Sequence, residues 1–169
     1  MMARNIEIKA RIGSVEAVIP LVEAVADRGP VEIVQDDFFF ACPNGRLKLR
    51  TLAPDRGELI FYRRADGAGP RESSYIVSPT GSPATLRAAL ASAWGEAGRV
   101  KKWRLLYHAG RKRIHLDRVE SLGDFLELEV ALGEGESADA GEEEARNLMR
   151  RLGIGPERLV AGAYVDLQT

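Results

Sequence analysis

Apolar and polar residues alternate strictly over residues 5–12: Asn5, Glu7, Lys9 and Arg11 fall on one side, Ile6, Ile8, Ala10 and Ile12 on the other. A period of two marks a strand with one apolar and one polar face. Related strand patterns recur at 31–40 (VEIVQDDFFF), 45–52 (GRLKLRTL), 57–64 (GELIFYRR) and 72–78 (ESSYIVS). Three more follow at 99–109 (RVKKWRLLYHA), 112–119 (KRIHLDRV) and 124–132 (DFLELEVAL). The turns between them carry Pro43-Asn44-Gly45, Gly110 and Ser121-Leu122-Gly123, residue types that suit tight reversals.

Helical spacing interrupts this pattern three times. Residues 14–29 predict a helix capped by Ser14 and stopped by Gly29, with Pro20 allowing a kink. Residues 82–95 predict a second, with Ser82 as cap, Pro83 at the first helical position and Gly95 as the stop. Residues 141–153 predict a third, acidic at its start, basic at its end and terminated by Gly153. Residues 133–141 (GEGESADAG) read as a polar loop. The sum is about eight strands and about three helices, and strands that follow one another directly predict antiparallel hairpins, an α+β class. The 169 residues suit one domain, 1–169, with a sizeable core.

The polar faces are dense in charge and poor in Ser, Thr and Asn. Arg46, Lys48 and Arg50 share one face, Lys102 and Arg104 another, and Arg111, Arg113, His115 and Asp117 a third. Glu127 and Glu129 share the polar face of the last strand. Acids thus gather on the first and last strands and bases on those between. A half-solvated sheet is the simple account of any one strand. A closed barrel accounts for all of them, with apolar faces outward under the helices and charged faces lining a filled lumen. Buried charges need partners, so such a lumen implies that anions and cations enter it. Arg and Lys rows suit phosphate oxygens, and Glu pairs two residues apart suit Mg²⁺. Together they describe a polyphosphate site.

These motifs, in order, resemble those of the CYTH family, the triphosphate tunnel metalloenzymes. The family's first signature is Glu-x-Glu-x-Lys; Asn5-x-Glu7-x-Lys9 matches all but its first position. GRLKLR matches its basic strand, KKWRLLY its later Lys-x-Arg strand, and residues 114–129 its C-terminal Asp, Gly and Glu-x-Glu pattern. The resemblance covers nearly the whole chain and implies an eight-stranded antiparallel tunnel with helices outside. It implies Mg²⁺ or Mn²⁺ held by Glu7, Glu127 and Glu129, with Asp117 as a ligand or a supporting acceptor. Asn5 brings an amide oxygen, which can ligate a hard cation but adds no charge. Arg46, Lys48, Arg50, Lys102, Arg104 and Arg113 are assigned to triphosphate oxygens, joined by Arg64, which shares a strand face with Tyr62, with Arg63 as the close alternative. Lys9 is placed to contact phosphate or orient the nucleophile, and His115 to line the site or exchange a proton.

The implied reaction is that of the class IV adenylate cyclases, ATP to cyclic AMP and pyrophosphate. The alternative is a triphosphatase acting on tripolyphosphate, a nucleoside triphosphate or thiamine triphosphate; a third reading is a non-catalytic barrel that binds a phosphorylated ligand. The resemblance is also compatible with a homodimer. Trp94 and Trp103 are expected at helix–barrel contacts and Ser73 and Tyr75 on one strand face; residues 36–40 either turn Asp37 toward the lumen or form a strand end against a helix. His108 is expected at the surface or lumen edge.

Bulk composition adds exclusions. The 24 Lys and Arg balance 25 Asp and Glu to a formal charge of −1, which argues against general attraction to nucleic acid or an anionic membrane. Cys42 is the single cysteine, so no internal disulfide forms, and no run approaches a membrane span. With no secretory segment recognisable at the start, a cytoplasmic location is expected.

Overall fold

The structure, a computed structural model, describes residues 2–168. Eight antiparallel strands close into a barrel: β1 (Ala3–Arg11), β2 (Arg28–Phe40), β3 (Arg46–Ala53), β4 (Arg56–Arg64), β5 (Arg71–Thr80), β6 (Glu96–Ala109), β7 (Lys112–Val119) and β8 (Gly123–Ala131). Around the barrel they run β1-β5-β4-β3-β2-β6-β7-β8, so closure depends on β1 pairing with both β5 and β8. This is the α+β class that the alternation predicts and the closed tunnel that the resemblance implies.

Three helices lie outside: α1 (Val15–Glu23), α2 (Pro83–Trp94) and α3 (Ala138–Arg151). Ser14 Oγ accepts from Ala17 N and Ser137 Oγ from Asp139 N, each satisfying an N-terminal amide that the helix leaves unpaired. The outward residues Ile6, Ile8, Leu126, Leu128, Ile114 and Leu116 are fully buried beneath α1 and α3. Each such side chain is worth about 1.5–3 kcal/mol on burial, so the apolar faces hold helices to barrel. Leu86 and Leu90 of α2 cover Phe38, Phe40 and Leu49 in the same way. Gly141 of α3 sits so close to β1 that an added Cβ would stand 2.8 Å from Ile6.

Some boundaries differ from expectation. α1 stops at Glu23, and Gly29 lies in β2. There its φ of +105° and the Leu106 carbonyl, 2.7 Å from an added Cβ, call for glycine; no helix end is involved. The polar loop is shorter than read, because Ser137 caps α3 and residues 138–141 are helical. Ser82 occupies the N-cap position of α2 without making a side-chain cap bond. Trp103 packs partly against the core, whereas Trp94 is 59% exposed at the end of its helix. No described helix is long and apolar enough to cross a membrane.

The C-terminal stretch carries two short 3-10 turns, Pro156–Arg158 and Tyr164–Gln168. Val160 N donates to Lys9 O, and Leu159 bridges Ala10, which ties this stretch to β1. Tyr164 then joins Phe39, Tyr62, Val100, Val119 and Phe125 in a small apolar cluster that blocks one end of the barrel.

Candidate active site

Charge lines the barrel because each strand turns its polar side inward, and the register decides which charges meet. Glu7 lies across from Glu129, Lys9 from Glu127, His115 from Glu127 and Arg113 from Glu129. On the opposite wall Arg50 lies across from Asp37 and Glu58. The resulting cavity holds about 780 Å³. Asn5, Glu7, Lys9, Lys48, Arg50, Arg64, Lys102, Arg104, Arg113, His115, Glu127 and Glu129 all line it.

The first wall is acidic. Oxygens of Glu127 and Glu129 and a ring nitrogen of His115 lie within 4.8 Å of one another. Burial, together with the nearby charges of Glu127 and Glu129, raises the pKa of Glu7 above the usual carboxylate value; Arg64 at 3.2 Å only partly offsets this. Burial also disfavours charge on Glu127, but Lys9 at 3.6 Å, His115 Nδ1 at 3.3 Å and Arg104 at 3.3 Å hold its pKa well down. Mutually repelling carboxylates with an imidazole beside them form a donor set for a divalent cation. The orphaned Asn5 Oδ1, in a residue only 2% exposed, is a further unsatisfied oxygen on the β1 face that carries Glu7.

The second wall is cationic and built around one acid. Asp37 is 1% exposed and receives Arg50 through two bonds of 2.9 Å, Lys102 at 3.2 Å and Lys48 at 3.2 Å. Three basic side chains share this carboxylate, and with Glu58 across from Arg50 the bases still outnumber the acids on this wall. Burial and the neighbouring cations Arg50, Arg104 and Lys48 push Lys102 down to about 7, against the opposing pull of Asp37. Such a cluster suits a polyanion.

The remaining assignments separate by position. Arg64 faces the cavity, while Arg63 stacks over Phe61 outside and donates to the Asn44 carbonyl. Asp117 is fully buried; Arg104 occupies its two oxygens at 2.6 and 2.7 Å, and Tyr164 Oη donates at 2.7 Å. Both of its oxygens therefore already accept from protein donors, which sets Asp117 behind Arg104 on the cavity wall. Burial opposes its ionisation, but Arg104 outweighs that and holds its pKa below the usual aspartate value. Arg46 does not reach the main cavity; it pairs with Asp166 at 2.5 and 2.6 Å beside a smaller hollow at the barrel's end. Ser73 and Tyr75 line the cavity. His108 is half-buried.

Two residues beside the charged walls carry no assignment from the strand pattern. Arg71, on the same β5 face as Ser73 and Tyr75, is 5% exposed, with Nε and one terminal nitrogen unbonded. The parity Arg71-Ser73-Tyr75 carries its signal, because β5 begins at Arg71, one residue before the strand expected at 72–78. Tyr164 gave no signal, since its position depends on how the C-terminal stretch crosses the barrel. Lys9 Nζ lies 4.0 Å from the centre of its ring and donates to Gly162 O at 3.2 Å.

A model of the CYTH domain matches residues 3–164. No curated protein sequence matches the chain. Among solved structures, the PH1012 protein of Pyrococcus horikoshii superposes with a TM-score of 0.88 at 24% identity, covering 98% of this chain and 99% of that one. A Vibrio parahaemolyticus protein proposed to be an adenylate cyclase gives 0.76 at 18% identity, covering 96% of each chain. The Hippeastrum protein HpAC1, a proposed adenylyl cyclase with a dominant triphosphatase activity, gives 0.64 at 14% identity, covering 90% of this chain and 89% of that one. At these identities the likeness concerns the fold.

Proposed function

This chain belongs to the CYTH domain family, and from that premise we propose that its tunnel is the active site of a divalent-cation-dependent enzyme cleaving a phosphoanhydride bond of a triphosphate. The observation that carries the reading is the facing of two walls in one cavity, Glu7, Glu127 and Glu129 against Lys48, Arg50, Lys102 and Arg104. Neither wall alone implies this chemistry: carboxylates bind many cations, and basic rows bind many anions.

The residues fit a hard divalent ion. Glu7, Glu127 and Glu129 would hold Mg²⁺ or Mn²⁺, with the free Asn5 Oδ1 and His115 as further donors. When bound, the ion supplies charge neutralisation at the phosphate and acidifies the attacking group. The chain's own contribution is to position and to neutralise, which is most of what phosphoryl transfer needs. Lys48, Arg50, Lys102, Arg104, Arg64, Arg71 and Arg113 would hold phosphate oxygens. Lys9, braced between Glu127, Gly162 O and the Tyr164 ring, would orient the attacked phosphate. Tyr164 and its apolar neighbours keep bulk water out of the closed end.

Hydrolysis is the reaction this arrangement supports best, because a water at the carboxylate cluster needs no further pocket. Cyclisation of ATP is the second reading; it requires room for a nucleoside beyond the phosphate rows, and the tunnel has aliphatic walls there. The purified chain with Mg²⁺ or Mn²⁺ is expected to release orthophosphate from a triphosphate. Cyclic AMP with pyrophosphate would move the assignment to the second reading, and binding without any product would overturn both.

Lys102 provides a second check. With its pKa near 7 in the free protein, it is mostly neutral at about pH 8. A bound polyanion favours its charged form, so binding at that pH should take up close to one proton. Calorimetry in buffers of different ionisation enthalpy reads that uptake. It should disappear as the pH falls below about 6, where Lys102 is already charged, and be absent from Lys102→Met.

A further inference from the structure

Residues 162–166 bring oxygens to bases at the closed end of the barrel. Gly162 O accepts from Lys9 Nζ at 3.2 Å and from Arg71 at 3.4 Å. The Asp166 carboxylate accepts from Arg46 at 2.5 and 2.6 Å and from Ala163 N at 2.9 Å. Each of the three bases shares a strand face with residues that line the main cavity: Lys9 with Glu7, Arg46 with Lys48 and Arg50, Arg71 with Ser73 and Tyr75. Three bases on inward faces are thus met by acceptors of the chain itself.

The contacts differ in kind. Gly162 O is a backbone carbonyl in a segment tied down on both sides, by Val160 N donating to Lys9 O and by Tyr164, 6% exposed, donating to Asp117. Asp166 holds Arg46 by side chains alone, and these are 38% and 39% exposed. Ion pairs this open to water hold weakly. Among the described residues the Arg46 guanidinium bonds to nothing else. Exchanging the carboxylate for an anion of higher charge therefore needs only a new Arg46 side-chain conformation. The way is short: the pair borders the end hollow of about 340 Å³, and Tyr62 and Arg64 line both that hollow and the main cavity. Tyr62 is also the cross-strand neighbour of Arg46.

We propose that the Arg46–Asp166 pair is an autoinhibitory contact. Asp166 occupies on Arg46 the place of a phosphate oxygen, and a triphosphate in the tunnel competes with it for the guanidinium. This rests on the triphosphate reading of the tunnel. In the free protein Arg46 is withheld; with ligand bound it turns back beside Lys48 and Arg64, while Asp166 keeps its bond to Ala163 N. Because the competent arrangement is a minor one, apparent affinity falls by the fraction of chains in which Arg46 is free.

The test measures affinity for tripolyphosphate with Mg²⁺ present, as KM where it turns over and as calorimetric Kd where it does not. It compares wild type with Asp166→Asn, Arg46→Gln, the double variant and Asp66→Asn. Asp66 lines the same hollow and makes no ion pair among the described residues, so its variant removes the same charge without freeing Arg46. Asp166→Asn should tighten binding about 2- to 5-fold, the fold-change of a weak exposed pair. Arg46→Gln should weaken binding severalfold and cancel that gain in the double variant, and Asp66→Asn should change binding less than Asp166→Asn. An Asp166→Asn chain that binds no tighter than wild type makes the pair a structural tie. A gain matched by Asp66→Asn, or one that survives Arg46→Gln, reduces it to general electrostatics. Either result overturns the proposal, and so does unchanged affinity in Arg46→Gln alone. A chain that binds tripolyphosphate without cleaving it defeats the catalytic reading and still decides this one; a chain that binds none defeats both. Asparagine keeps an acceptor for Ala163 N, and matching thermal midpoints will show that the variants fold.

Discussion

Glu127→Gln is expected to lose metal-dependent turnover by more than about 100-fold while the barrel stays folded. Groups that merely orient metal ligands change affinity or activity about 10–100-fold when altered, so removing the charge of a carboxylate that holds the ion directly, as proposed for Glu127, should exceed that range. Glu127 is also where the two walls meet: Lys9, His115 and Arg104 all lie within 3.6 Å of its oxygens. Glutamine keeps the shape and one acceptor oxygen but cannot neutralise a cation or hold Lys9 in place by charge. Its amide will still fill the cavity wall, so the far-ultraviolet circular dichroism should match wild type. Assay across a range of Mn²⁺ concentrations separates the roles. Rescue at high metal would indicate weakened metal binding, and wild-type activity at ordinary metal would remove Glu127 from the site.

Asp37→Asn should give the largest change in stability. Removing one member of a buried ionic group leaves the others uncompensated, at a cost of about 3–5 kcal/mol. Here three cations, Lys48, Arg50 and Lys102, would lose their shared carboxylate. For a chain of this length that corresponds to a fall in Tm of roughly 10 °C. Burial works against ionisation of Asp37, but the three cations outweigh it and hold its pKa well below the usual value. Its stabilisation is therefore fully present above the ordinary aspartate range and is lost as the pH drops through the lower folded value. The deficit of the variant should be greatest near neutrality and shrink in acid. A bound triphosphate can stand in for the missing carboxylate, so added ligand should raise the variant's Tm by more than it raises the wild type's. A variant melting with wild type, with or without ligand, would show that Asp37 does not organise this wall.

The two variants test opposite walls, and they also show what alternation in the chain conveys. Asn5-x-Glu7-x-Lys9, Lys48-x-Arg50 and Glu127-x-Glu129 were readable because a strand has a period of two, so spacing alone says which residues share a face. The bounds of β7 came out as read for the same reason, with a glycine turn at each end. Strand parity left Asp37 open between the cavity and a strand end against a helix, and it lines the cavity. Parity could not say that Arg50, Lys48 and Lys102 all converge on that one carboxylate, because two strands, β3 and β6, bring them to a third.

Arg63 and Arg64 mark the limit of local pattern. Adjacent arginines at a strand end satisfy either parity, and the choice came from Glu7 across the barrel, which pairs with Arg64 at 3.2 Å. Arg46 shared the parity of Lys48 and Arg50 but was drawn away by Asp166 at the far end of the chain. Asp117 matched a ligand's position in sequence, yet Arg104 and Tyr164 take up its oxygens.

By itself, then, the order of residues determined the strands, their polar and apolar sides and the α+β class, since these depend on backbone periodicity and near neighbours. The tertiary structure decided which charges face one another and which end of the barrel is shut. Those features arise from pairing between strands distant in sequence and from a C-terminal stretch that crosses the barrel, and electrostatic coupling depends on distance in space, which spacing along the chain does not encode.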